Sequence, residues 1–374
     1  MTLVDDFIRL CEIESPSRDE RAVADALTSD LRELGLEVEE DESGAETGSN
    51  AGNLLVRIPP GEGVTPREEG HSRTIMLCAH MDTVPLTGPV EVVQRDGLLE
   101  NRHDAILGAD NKAAVVVLLE GARRWVEQGP GVGIELLFTT CEEPGLRGAK
   151  GFDRSRLTAE FGFVFDHASP SGEVIVAAPT HYSVEAELHG ASAHAGIRPE
   201  DGRNAIAAAA DALARLEFGR LDPKTTANVG EIRGGTAVNV VAERCRVMLE
   251  TRSLDDERAA EVARRIVDAF TEAASDADCD LETVVEEHFR AYSLARTSAP
   301  VALAAAALEA RGIEPSFIST GGGSDAHVFN ARGLPCVNVA NGTQRNHQPD
   351  ESVTIDALEK MLDVVLELVR LAAQ

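Results

Sequence analysis

Apolar and polar positions follow two rhythms along this chain. Residues 3–14 and 19–34 place apolar side chains every three or four positions, the spacing of one helix face, and Gly35 is a stop after the second. Short, nearly unbroken apolar runs follow at 53–58, 74–79, 134–140 and 161–165, with a helical stretch at 111–128 among them. Strands without polar alternation are covered on both faces, which predicts a mostly parallel sheet flanked by helices. The segment "IPPGEGVTPREEGHSR", residues 58–73, reads as a loop from its Pro, Gly and charge content.

The rhythm changes in the middle. A strand pattern at 181–189 is followed by an alanine-rich helix at 201–217, strands at 226–233 and 243–252, a helix at 255–274 and a strand at 281–289. That βαββαβ order is the split arrangement of ferredoxin-like domains. The α/β alternation then returns, with helices at 299–311 and 354–372 and strands at 314–318 and 335–339. The expected fold is therefore α/β, with one domain made of residues 1–178 and 293–374 and a smaller domain, 179–292, inserted into it.

Composition narrows the function. A length of 374 residues fits two domains, and 43% hydrophobic content is enough for packed cores. A net charge of −29 argues against nucleic-acid or anionic-membrane partners, which need Lys/Arg surfaces. The six cysteines are scattered without a C-x-x-C pair, as for reduced thiols in a cytoplasm. The opening "MTLVDDFIRLCEIES" has no basic or apolar leader pattern, and the longest apolar run, 113–119, is too short to span a bilayer. A soluble cytoplasmic protein is expected.

Chemistry gathers at the predicted strand ends. His80 and Asp82 follow the 74–79 run, Glu142 and Glu143 the 134–140 run, Asp166 the 161–165 run and His347 the 335–339 run, while Asp110 opens a helix. In open α/β sheets the ligand crevice lies at the carboxyl ends of the strands. Two histidines and several carboxylates meeting there suit a divalent metal with N and O ligands. Each motif alone has a plainer reading: His-x-Asp as a hydrogen-bonded pair, Asp110 as a helix cap, the Glu pair as solvated. Their recurrence at successive strand ends favours the metal.

The segments "HMDTVP", "GADNKAA", "EEPGLRGAK", "HGASAHAGIRPEDGRNAI" and "STGGGSDAHVFNARGLP" resemble the dinuclear metallopeptidases that include tripeptidase T, carboxypeptidase G, aminoacylase and succinyl-diaminopimelate desuccinylase. The resemblance spans nearly the whole chain and is closest to the peptidase T-like branch. It implies a phosphorylase/hydrolase-like catalytic domain with an inserted ferredoxin-like domain that serves as lid and dimer contact. It implies two divalent ions, Zn2+ first with Mn2+ or Co2+ as alternatives, held by His80 and Asp166 on one side, Glu143 and His347 on the other, and Asp110 between. Asp82 is expected to orient His80, and Glu142 to act as general base on a water bridging the metals. In the smaller domain His194 matches a histidine that stabilises the oxyanion across a homodimer, Arg252 an arginine that grips a substrate carboxylate, and Asn239 a hydrogen-bonding partner. Gly322 and Gly323 are expected to meet the substrate backbone. One departure is Asn111, where the pattern usually has Asp; the peptide bond before it is expected to be cis.

The resemblance implies cleavage of short peptides from a free amino end, with an N-acyl amino acid hydrolase or a dipeptidase as the alternative. Asp rather than Glu at position 166 favours the aminopeptidase.

Overall fold

The computed structural model describes residues 2–61 and 73–374. Most of the loop expected at 58–73, with His71, lies outside the described residues. The chain divides into two compact units, Met1–Val176 with Ser293–Gln374, and Ala177–Tyr292.

The larger unit is built on a nine-stranded mixed sheet. Its centre is parallel: Gly133–Thr139, Thr74–His80, Phe161–His167 and Cys336–Ala340 lie side by side in that order. Leu54–Ile58 joins one flank antiparallel, with Val38–Glu40 beyond it, and Glu173–Ala178 joins the other, also antiparallel. The expectation of a mostly parallel sheet thus holds for the centre only. In the strand Thr74–His80, every residue from Ile75 to Ala79 is fully buried. Both faces are covered, so no polar alternation is needed.

The helix Ala109–Gln128 packs against Leu3–Cys11, Ile355–Ala372 and the central sheet. Its residues Ala113 to Leu119 are all fully buried. Each Val or Leu so buried contributes roughly 1.5–3 kcal/mol, so the helix start is firmly placed in the unit. A small sheet of Val92–Arg95, Leu98–Asn101 and Ser352–Thr354, absent from the sequence reading, pins the segment after His347 to the segment before Asp110.

The smaller unit holds an antiparallel sheet in the order Gly219–Asp222, Thr225–Gly234, Arg244–Ser253, Thr180–His189, Asp280–Phe289. Val184, Ala186, Leu188, Val247 and Leu249 pack from one face onto the helices Ala205–Ala214 and Asp256–Asp276. The first helix starts later than position 201, because the Asn204 side chain accepts the N–H groups of Ile206 and Ala207 and caps it there. The helix ends at Ala214, short of the expected 217, and the short strand Gly219–Asp222, absent from the sequence reading, follows.

Candidate metal centre

The parallel register decides where the chemistry collects. His80 is the last residue of its strand and pairs with Thr139, the last of the neighbouring one. On the other side Cys78 pairs with Val164, two residues before Asp166, and His167 pairs with Ala340, where the next strand ends. Four strands therefore release His80, the Glu142–Glu143 turn, Asp166 and the His347 loop at one edge of the sheet. After Thr139 the chain turns sharply through Cys141, which sits left-handed at φ 47° and separates the strand from the two glutamates.

Two groups of ligand-type atoms form there, His80–Asp110–Asp166 and Asp110–Glu143–His347, each within a 4.8 Å span. Asp110 belongs to both. Its Oδ1 lies 3.2 Å from His80 Nε2 and its Oδ2 lies 3.2 Å from His347 Nε2. His80 Nε2 is also 3.4 Å from Asp166 Oδ1, and His347 Nε2 is 3.0 Å from Glu143 Oε1. The plainer reading of Asp110 as a helix cap does not hold: Gly108 is the cap residue, and Asp110 and Asn111 have non-helical backbones joined by a cis peptide bond.

The supporting contacts go beyond the sequence reading. His80 Nδ1 is 3.0 Å from the backbone carbonyl of Asp82 and 3.4 Å from its carboxylate. That carboxylate is more closely engaged elsewhere, accepting from the Glu142 N–H at 3.0 Å and the Ser17 hydroxyl at 2.7 Å. The Asn111 amide donates to the Phe165 carbonyl at 2.8 Å and points toward Asp166. An aspartate could not donate there, so Asn fits this position. Behind the site Lys112 is fully buried and donates to Ser15 Oγ at 2.5 Å.

The charges favour a cation. Burial favours a neutral His80 ring, yet Asp166, Asp110 and Asp82 around it raise its pKa well above the ordinary value. Hydrogen bonding to the Asp110 and Glu143 carboxylates brings His347 up to about 10. Burial pushes Asp166 up to about 7 and Glu142 well above the carboxylate range, the latter with help from Asp166. The carboxylates Asp82, Asp110, Glu142, Glu143 and Asp166 crowd around two imidazoles. Such an excess of buried anionic groups is relieved by bound cations, and the N/O donor set fits divalent ions.

The smaller unit brings together only part of its candidate set. The isolated pairing of His194 with Val240, and the bond from Ala195 N–H to the Asn239 carbonyl, put His194 and Asn239 side by side, both exposed. Arg252 is elsewhere, near the far end of the strand Arg244–Ser253, opposite His181. Its guanidinium is 3.0 Å from Glu250, which is also 3.1 Å from His181 Nε2. Gly322 and Gly323 lie in the loop between the strand Ser316–Ser319 and the helix Ala326–Ala331 of the larger unit, with Gly322 N–H on the Thr320 hydroxyl.

Residues 76–371 match peptidase family M20/M25/M40. The chain belongs to this family. Among solved structures it is similar to the aminopeptidase PepT of Bacillus cereus, at 35% identity over 100% of this chain and 98% of that one, with a TM-score of 0.88. It is also similar to a tripeptidase of Staphylococcus aureus, at 32% identity over 99% and 98%, with a TM-score of 0.92. Peptidase T of Serratia proteamaculans is 26% identical over 96% of this chain and 93% of its own length. The protein is thus an M20 peptidase whose likeness to peptidase T runs through both units. Asp325 and Glu351 of this M20 peptidase escaped the sequence reading, although Asp325 stands inside "STGGGSDAHVFNARGLP" and Glu351 only four residues after His347. Asp325 is buried beneath the site with the Thr139 hydroxyl on its Oδ2 at 2.6 Å. Their only trace in the sequence is an acidic residue inside or close to a motif, and its burial shows only in the fold.

Proposed function

We propose that this M20 peptidase is a dinuclear aminopeptidase for short peptides, with His80 and Asp166 holding one divalent ion, Glu143 and His347 the other, and Asp110 shared. Metal-dependent hydrolysis of peptide bonds is the family's reaction; the finer assignment rests on one observation. The two oxygens of Asp110 each face a different histidine at 3.2 Å, so one carboxylate serves two N/O groups. Divalent ions held there supply Lewis acidity, polarising a scissile carbonyl and acidifying water. Glu142, held by its backbone N–H to Asp82, takes the proton of the attacking water and delivers it to the leaving amine.

His194 serves as a donor to the developing oxyanion. Its Nδ1 accepts the Gly196 N–H at 3.2 Å, which leaves the proton of a neutral ring on Nε2, free to donate. Arg252 grips the substrate's C-terminal carboxylate. Strand geometry supports a homodimer built on the smaller, ferredoxin-like unit. His194 and Asn239 lie by the segment that leads into Arg244, whereas Arg252 is eight residues along the same strand. At about 3.3 Å per residue that is roughly 26 Å, and an extended tripeptide spans only about 10 Å. A tripeptide does not reach both ends, which supports assigning His194 and Arg252 to different active sites, one of them in a neighbouring subunit. Zn2+ is the proposed metal. The six cysteines are all free, which supports a cytoplasmic location, and among the described residues no helix is long and apolar enough to cross a membrane.

The test is hydrolysis of a free tripeptide and its N-acetylated form by the purified protein, with Zn2+, Mn2+ or Co2+ after chelation, alongside Glu142→Gln. Chelation should abolish activity, divalent ions should restore it, and Glu142→Gln should lose roughly 10²-fold or more while retaining metal. Faster cleavage of the acetylated peptide would make the protein a deacylase. Wild-type turnover in Glu142→Gln would remove the general-base assignment.

A further inference from the structure

Glu351 lies four residues after His347 and directly before the strand Ser352–Thr354. It is 1% exposed. Its Oε2 accepts the N–H groups of Leu107 and Gly108, both at 2.8 Å, and its Oε1 accepts the N–H of Asp110 at 2.8 Å. One buried carboxylate therefore collects three backbone donors from the turn that presents Asp110. Those donors sit where a helix begins and have no partner within the helix. Charge-assisted bonds to a carboxylate are roughly twice as strong as neutral ones, and the aligned N–H groups favour an anion. Glu351 is itself held: its N–H donates to the Gln348 carbonyl at 2.9 Å, and the next residue, Ser352, pairs with Glu100 and exchanges bonds with Gln344.

We propose that Glu351 is a positioning residue for the metal centre, fixing the aim of Asp110 and tying it to the loop that carries His347. The inference rests on the reading of Asp110 as the shared ligand. The backbone nitrogen of Asp110 is anchored by Glu351, while its two carboxylate oxygens face His80 and His347. Without that anchor the turn can shift, and the two oxygens lose their simultaneous alignment on two histidines. Glutamine has the same shape but replaces one acceptor oxygen with a donor. Whichever way the amide faces, at least one of the three N–H groups meets another N–H, and the turn must move.

A second buried carboxylate provides the control. Glu135 is also 1% exposed and accepts the N–H of Thr158 at 2.9 Å and of Ala159 at 3.0 Å, but the turn it holds carries no candidate ligand. Glu351→Gln, Glu135→Gln and wild type are freed of metal by chelation and titrated with Mn2+ and Zn2+ by calorimetry, with thermal unfolding of each recorded. Glu351→Gln should bind at least one ion about 10–100-fold more weakly, the usual range for loss of a residue that orients a ligand. Its kcat should fall with KM nearly unchanged, because Glu351 does not touch substrate. Glu135→Gln should lose thermal stability and keep wild-type metal affinity. Should Glu351→Gln not fold, Glu351→Asp, which keeps the charge at shorter reach, is read in the same way. Wild-type affinity in the Glu351 variant, or an equal loss in Glu135→Gln, would overturn the proposal. A wild-type protein that binds no divalent ion would instead overturn the shared-ligand reading beneath it.

Discussion

The Asp82 carboxylate accepts the backbone N–H of Glu142 at 3.0 Å and that of Glu143 at 3.3 Å. The residue expected to orient His80 thus also holds the turn bearing the proposed general base, Glu142, and a proposed metal ligand, Glu143. Asp82→Asn places an amide where acceptor oxygens are needed. The expected result is a fall in kcat of about 10–100-fold, the range for partners of metal ligands, with the protein still folded by circular dichroism. Unchanged kcat would leave Asp82 with no role in aiming that turn.

Arg252 should read the substrate's C-terminus. A planar guanidinium matches a carboxylate with two parallel bonds. Wild-type enzyme should cleave a free tripeptide with a lower KM than its C-terminal amide, and Arg252→Ala should make the two alike. If the variant still separates them, another group reads that end.

Glu250 links Arg252 to the pH scale. His181, whose Nε2 lies 3.1 Å from the Glu250 carboxylate, together with Arg252, brings the Glu250 pKa from 4.5 down to about 2 against the effect of burial. A carboxylate depressed in the folded state stabilises the fold above about pH 4.5, and that stabilisation is lost as pH falls through about 2. The melting temperature difference between wild type and Glu250→Gln should therefore be full at pH 6 and shrink progressively below pH 4.5. A difference that stays flat down to pH 3 would show that the pair contributes through packing instead of charge. Partial exposure keeps the effect small.

The positions of His80, Glu143, Asp166 and His347 were legible because each closes or follows an apolar run, and parallel strands must deliver their carboxyl ends to one edge; Asp110 was legible as the residue that opens a helix. Asp325 and Glu351 were not legible. A carboxylate that accepts backbone N–H groups from a turn more than two hundred residues away leaves no periodic trace. The helix from 111 was placed within two residues of its observed start at Ala109, and the cis bond between Asp110 and Asn111 was expected from the resemblance alone, because the sequence around them remains helical in composition. The small sheet of Val92–Arg95, Leu98–Asn101 and Ser352–Thr354 was missed because its strands are three or four residues long, too short to set up an alternation. The mixed flanks of the main sheet were missed for a different reason: an apolar run does not encode strand direction.

Complementation tests the proposed subunit exchange. Glu142→Ala and His194→Ala subunits, each inactive alone, are co-expressed with distinct tags and the mixed dimer is isolated. If His194 acts across the dimer, one site carries both lesions and the other neither, so activity returns to about half the wild-type value per dimer. A mixed dimer of confirmed mass with no activity would place His194 in its own subunit's site.

The imidazole of His347 is 48% exposed, whereas that of His80 is 2% exposed. The two halves of the centre therefore differ in their access to solvent. An ion beside His347 has a short path to bulk water, and a soluble chelator can reach it while its neighbour is still shielded by buried strand ends. If two ions bind as proposed, the one beside His347 would be the more readily exchanged, and the free metal concentration would set its occupancy.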